Sequence, residues 1–163
     1  MAFEINVGSS SPSIEDGYVL VRFSGTVLLC NPDGTLVLSS NYAALEFGPI
    51  TLRIDQNTSR LVGLECRQDL RFLLPTFSQP MNFPEASLPR MVVSGLDGGD
   101  VAYDLGRGKH LARRTNFSHS VLMVGRRKGT PCRITTGCTT FVNDNVCNGI
   151  LLHNWINSEE PVP

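Results

Sequence analysis

No stretch of this 163-residue chain comes near the roughly 18 consecutive apolar residues that a membrane-spanning helix requires. Its opening, MAFEINVGSS, has neither the basic start nor the long apolar core of a secretory signal, which points to a cytoplasmic protein with no membrane partner. Charge of one sign is lacking as well. The 14 Lys and Arg stand against 15 Asp and Glu, and the net charge of −1 gives no overall pull toward nucleic acid or an anionic bilayer. The five cysteines, Cys30, Cys66, Cys132, Cys138 and Cys147, are odd in number and contain no C-x-x-C pair. Neither a disulfide framework nor a zinc knuckle is signalled, and the thiols are expected to be buried as small hydrophobes. There is no repeat at fixed period. The phosphate-loop spacing G-x-x-x-x-G-K-[ST] is missing, because Gly106-Arg107-Gly108-Lys109-His110 has its residue types without its register. Asp97, Asp100 and Asp104 lack the spacing and the closing glutamate of a calcium loop. No metal and no cofactor is expected.

What the chain does contain is strand text. An apolar fraction of 41% with 18% charged residues is that of an ordinary globular domain, and 163 residues suit a single β-rich domain over 1–163. Residues 50–66, ITLRIDQNTSRLVGLEC, carry the clearest signal. Ile50, Leu52 and Ile54 alternate with polar residues, a Gln56-Asn57-Thr58-Ser59 turn follows, and Val62, Leu64 and Cys66 resume the alternation. The pattern predicts a hairpin with Leu52 facing Leu64, Ile54 facing Val62, and Arg53 diagonal to Glu65 on the polar face. A second hairpin is predicted where Val27 to Cys30 and Leu36 to Leu38 flank Asn31-Pro32-Asp33-Gly34. Phe3 to Val7, Val19 to Phe23 and Ala43 to Phe47 complete a first half expected to be an antiparallel meander.

The middle of the chain interrupts the strands. Cys66, Leu70 and Leu73 recur at helical spacing before Pro75, so a short helix at 67–74 competes with a strand there. Prolines 75, 80, 84 and 89 then rule out a central strand or long helix and predict a crossing loop over 75–90. Beyond it, strands are expected at 91–93, 101–105, 117–124, 132–135, 139–142 and 146–155, with turns at 97–99, 127–129, 137 and 143–145. Ten or more short strands with little helix make an all-β fold, an antiparallel sandwich or partly closed barrel.

Charge is uneven along the chain. Five Lys/Arg face eight Asp/Glu before residue 83, and nine face seven from there on. Between 103 and 133, Arg107, Lys109, Arg113, Arg114, Arg126, Arg127, Lys128 and Arg133 stand against Asp104 alone. Arg126, Arg127 and Lys128 are expected at an exposed hairpin tip, and the cluster is either a solvated face or a binding patch. Only Phe117 lies close by, so stacking of bases has thin support. His119 and His110, beside those arginines, are the candidates for proton transfer if the patch handles a phosphate ester. His119 and His153 both fall on apolar faces, where a histidine is more often a hydrogen-bonded core residue than a general base. The favoured function is a non-enzymatic protein-binding module, such as a small inhibitor, immunity-type or adaptor protein. The alternative is a β-domain whose basic patch at 107–133 binds RNA, a nucleotide or a small anionic ligand, with phosphoester chemistry as its extension.

Overall fold

The computed structural model describes residues 4–11, 13–23, 26–67, 87–95, 99–102, 121–153 and 155–157. Its strands are β1 (Glu4–Val7), β2 (Val19–Phe23), β3 (Thr26–Cys30), β4 (Tyr42–Phe47), β5 (Ile50–Asp55), β6 (Leu61–Cys66), β7 (Met91–Ser94), β8 (Gly99–Ala102), β9 (Val121–Gly125), β10 (Thr130–Thr135), β11 (Cys138–Asn143), β12 (Val146–His153) and β13 (Ile156–Asn157), with one short 3-10 helix at Ile14–Gly17. The all-β reading is therefore correct. The expected helix at 67–74 lies outside the described residues apart from Arg67, as does the proline-rich loop apart from 87–90.

The strands form three sheets: β1-β7, β10-β11-β12-β9, and a seven-stranded sheet in the order β13-β2-β3-β6-β5-β4-β8. Pairing is antiparallel except where β13 meets β2 and β8 meets β4. One contiguous cluster takes side chains from all three sheets, with Val93 from the small sheet, Phe47, Leu52 and Leu64 from the large one, and Ile150 and Leu152 from the third. Sheets joined by one such core make a sandwich or a partly open barrel.

The 50–66 hairpin holds, with one correction. Leu52 opposes Leu64 as predicted, but a bulge between Arg53 and Ile54 sets Ile54 against Leu61 instead of Val62. The extra residue lets Leu61 turn inward to 2% exposure and leaves Val62 half-buried. On the polar face, Arg53 lies across Gly63, where an added Cβ would stand 3.0 Å from its Cδ, and its Nη2 pairs with Glu65 Oε2 at 3.3 Å.

The second hairpin is mostly overturned. The 31–35 turn is present, with Gly34 N–H donating to Asn31 O and Asn31 N–H to Thr35 O, yet the returning chain makes only one bridge, Cys30 to Leu36. The edge of β3 belongs to β6, which pairs Val27 with Cys66 and Leu28 with Glu65. Apolar β6 buries Leu61, Leu64 and Cys66 there, whereas Leu38 ends 84% exposed ahead of Ser39 and Ser40. The order β3-β6-β5-β4 is thus a Greek key, and the expected simple meander is wrong in that connection.

In the second half, strands stand near most predicted positions: Met91–Ser94, Thr130–Thr135, Cys138–Asn143 and Val146–His153. Pro131 sits in β10, an edge strand of its sheet, where the missing N–H costs no central ladder bond.

Candidate functional site

Of the basic residues singled out from sequence, Arg107, Lys109, Arg113 and Arg114 lie outside the described residues, as do His110 and His119. Arg126, Arg127 and Lys128 are described and exposed, but they do not sit at a hairpin tip. β9 and β10, the strands on either side of them, occupy opposite edges of their sheet with β12 and β11 in between. The centre of the sheet goes to the β11–β12 hairpin because its turn suits a tight reversal, with Asp144 and Asn145 at φ 51° and 62°. Residues 126–129 therefore cross the end of that hairpin as a strap.

The strap is fixed at both ends. Gly125 and Gly129 have φ of 85° and 114°, and a Cβ on either would stand 2.4 Å from a carbonyl oxygen, of Asn148 and Val142 respectively. Only glycine allows so close an approach in that backbone region. Asn148 is the extra residue of a bulge between β11 and β12, so its groups are available to the strap. Its carbonyl accepts from Arg126 N–H at 2.9 Å, and its side-chain amide donates to Lys128 O at 2.9 Å. Three cations are thus presented on a backbone that the hairpin beneath holds still. Val146, 45% exposed, adds an apolar spot at the hairpin's end.

Arg133 does not belong to the surface patch. It is 4% exposed, its Nη2 donates to Ser10 O at 2.9 Å, and its Nε lies 3.2 Å from Asp16 Oδ1, off the line of a good hydrogen bond. Asp16 also takes the guanidinium of Arg90, whose Nε donates to Ser11 O at 2.9 Å. The two arginines come from adjacent bridge partners, so the aspartate between them offsets their repulsion and ties the 3-10 segment to the sheets. Thr135 and Thr136 complete the anchorage by donating to Glu15 O and Asp16 O. His153, expected as a hydrogen-bonded core residue, is 4% exposed and shares a 3.1 Å hydrogen bond with Thr139 Oγ1.

A second feature has no counterpart in the sequence reading. Between the 3-10 helix, the β5–β6 turn and β7 lies a cleft of about 180 Å³. Ser13, Glu15 and Arg90 line one side, Thr58, Ser59 and Arg60 of the turn another, and Leu61, Met91, Val93 and Ile134 supply the apolar floor. Glu15 is 6% exposed and accepts a short hydrogen bond from the Ser13 hydroxyl. Tyr18 lies within electrostatic reach of Glu15 and Arg60. Burial, and after it the Glu15 carboxylate, push the phenol above its ordinary range, while Arg60 pulls it down. What could have flagged this region is Ser13-x-x-Asp16, a capping spacing; Ser13 N–H does donate to Asp16 Oδ2 at 3.1 Å.

All five cysteines are buried thiols outside any disulfide. Burial pushes Cys132 up to about 11 and Cys147 up to about 12. Among the described residues, no group of three or more His, Cys, Asp or Glu is placed to hold a metal ion, and no helix is long and apolar enough to cross a membrane. No protein-family model, curated protein or solved structure matches the chain.

Proposed function

We propose that this chain is a non-enzymatic, cytoplasmic protein-binding module that receives an acidic partner surface on the strap of Arg126, Arg127 and Lys128. The observation that carries this reading is the pinned backbone under three successive exposed cations. A charged loop that is already ordered loses little entropy on docking, so its charges translate into association rate and affinity. Exposed Val146 beside the cations supports a protein surface over a nucleic acid, since arginine next to apolar area is typical of protein interfaces. Among the described residues, the exposed large hydrophobics near the strap include no aromatic on which a base could stack. The buried thiols suit a reducing compartment.

Fluorescence anisotropy with a labelled poly-glutamate peptide and a labelled mixed-sequence RNA tests the reading. The peptide is expected to bind at low salt, and Arg126→Ser/Arg127→Ser/Lys128→Ser to slow its association and flatten its salt dependence. Tighter binding of the RNA, with a steep salt slope that the triple variant reduces, would replace this function with the anionic-ligand alternative. Unchanged peptide binding by the triple variant would remove the strap from the function.

A further inference from the structure

We propose that the cleft beside Glu15 binds an aliphatic primary ammonium, with the Glu15 carboxylate taking the charged end and the floor of Leu61, Met91, Val93 and Ile134 taking the hydrocarbon. Glu15 is almost wholly buried, yet one of its oxygens is uncommitted. Oε2 accepts from Ser13, whereas Oε1 takes no hydrogen bond among the described residues, and Glu15 lines the cavity. Arg90 and Arg60 also line the cleft, but among the described residues neither forms an ion pair with Glu15. The guanidiniums of Arg90 and Arg133 go to Asp16 and to the Ser10 and Ser11 carbonyls. A buried carboxylate without a basic partner carries a desolvation cost that an incoming cation removes.

The rest of the cleft selects the kind of cation. Leu61, Met91, Val93 and Ile134 under the cleft are buried apolar residues of the core cluster. A hydrated metal ion gains nothing from such a floor and meets one carboxylate instead of the several oxygens it needs. An ammonium needs few acceptors, and Ser13, Thr58 and Ser59 stand around the opening with hydroxyls to supplement Glu15. At about 180 Å³ the space matches about six water volumes, the bulk of a branched five-carbon amine. Arg60 at the mouth adds a second possibility within the same chemistry. Arg60 and Glu15 line the same cleft, so a ligand bearing both ammonium and carboxylate, such as a branched α-amino acid, meets a group of opposite charge for each of its own.

Isothermal titration of the whole chain with 3-methylbutylamine, leucine and isovalerate reads this out. The amine is expected to bind, isovalerate, with the same skeleton and opposite charge, is not, and Glu15→Gln is expected to weaken the amine about tenfold or more. Leucine binding more tightly than the amine, with the excess lost in Arg60→Gln, would identify an amino acid as the source of the ammonium. Isovalerate binding as well as the amine would overturn the proposal, and so would an amine that fails to bind wild-type protein or binds a folded Glu15→Gln variant unchanged. The amine and isovalerate comparison is made on the unaltered protein, so it decides the matter even if Glu15→Gln does not fold.

Discussion

Asp16 Oδ1 and Arg133 Nε lie 3.2 Å apart, with the arginine side chain 5% exposed, and this pair joins the 3-10 segment to β10. Arg90 approaches the same carboxylate from the other side. A charge held this far from water is stable only while its counter-charge remains, because removing one partner leaves the other desolvated. Asp16 keeps Arg90 and is 25% exposed, so Arg133→Met should destabilise the fold by about 1–3 kcal/mol in urea titrations, largely through the Ser10 and Ser11 carbonyls that lose their donor. Asp16→Asn combined with Arg133→Met should cost less than the two changes summed. Strict additivity would mean that the residues do not act as a pair.

Glu65 predicts a pH dependence. A hydrogen bond from Arg67, opposed by burial and reinforced by Arg53, holds its carboxyl below its ordinary 4.5. A group whose folded pKa is depressed stabilises the protein above its unfolded pKa, and the contribution is lost as pH falls through the folded value. Wild-type melting temperature should therefore drop as pH is lowered from 5 to 3, on a scale set by thermal scans at half-unit steps, and Glu65→Gln should show a shallower decline. Parallel curves for the two proteins would exclude Glu65 as a source of the slope.

The bulge in the β5–β6 hairpin gives a packing test. Alternation counted strictly from sequence turns Val62 to the core, whereas the structure buries Leu61. Leu61→Ala should cost about 2–5 kcal/mol by chemical denaturation, and Val62→Ala less than about 1. Equal costs would restore the unbulged register.

These residues also mark how far the sequence carries. Leu52 opposite Leu64 and Arg53 near Glu65 are local consequences of a two-residue period on either side of one turn, so they are legible without knowing the rest of the fold. Leu36 to Leu38 look like a strand for the same local reason and fail because Cys66, some thirty residues on, takes the edge of β3. The basic window misleads in a similar way. Arg133 and Arg126 are both cations in the sequence, and only the tertiary position of Asp16 makes one a buried tie and leaves the other at the surface. The strap itself rests on Gly125 and Gly129 meeting carbonyls of β11 and β12, and the cleft on Glu15 meeting β7; no periodicity encodes either.

The thiols should be inert while the protein is folded. Burial raises Cys30, Cys132 and Cys147, so the reactive thiolate is scarce at pH 8. A disulfide-exchange reagent should titrate essentially none of the five in native buffer and all five in denaturant. A thiol that reacts fully within minutes in native protein would identify a site that opens locally.

The last prediction separates the strap's backbone from its charges. Arg126 and Lys128 are exposed, and replacing both with serine should change stability by no more than about 0.5 kcal/mol per site. Gly125→Ala and Gly129→Ala leave every charge in place but force a side chain into left-handed backbone, with Cβ 2.4 Å from the Asn148 or Val142 carbonyl oxygen. Each should cost about 2 kcal/mol or more, because neither the conformation nor the contact can relax without moving the hairpin beneath. At a temperature where an alanine variant is still folded, it should bind poly-glutamate more weakly than wild type, since its cations no longer share one fixed arrangement. If the alanine variants are as stable as wild type, the strap does not lie against β11 and β12. If they are destabilised yet bind the peptide with unchanged rate and affinity, the cations work as loose charges and the ordering of the strap plays no part in recognition.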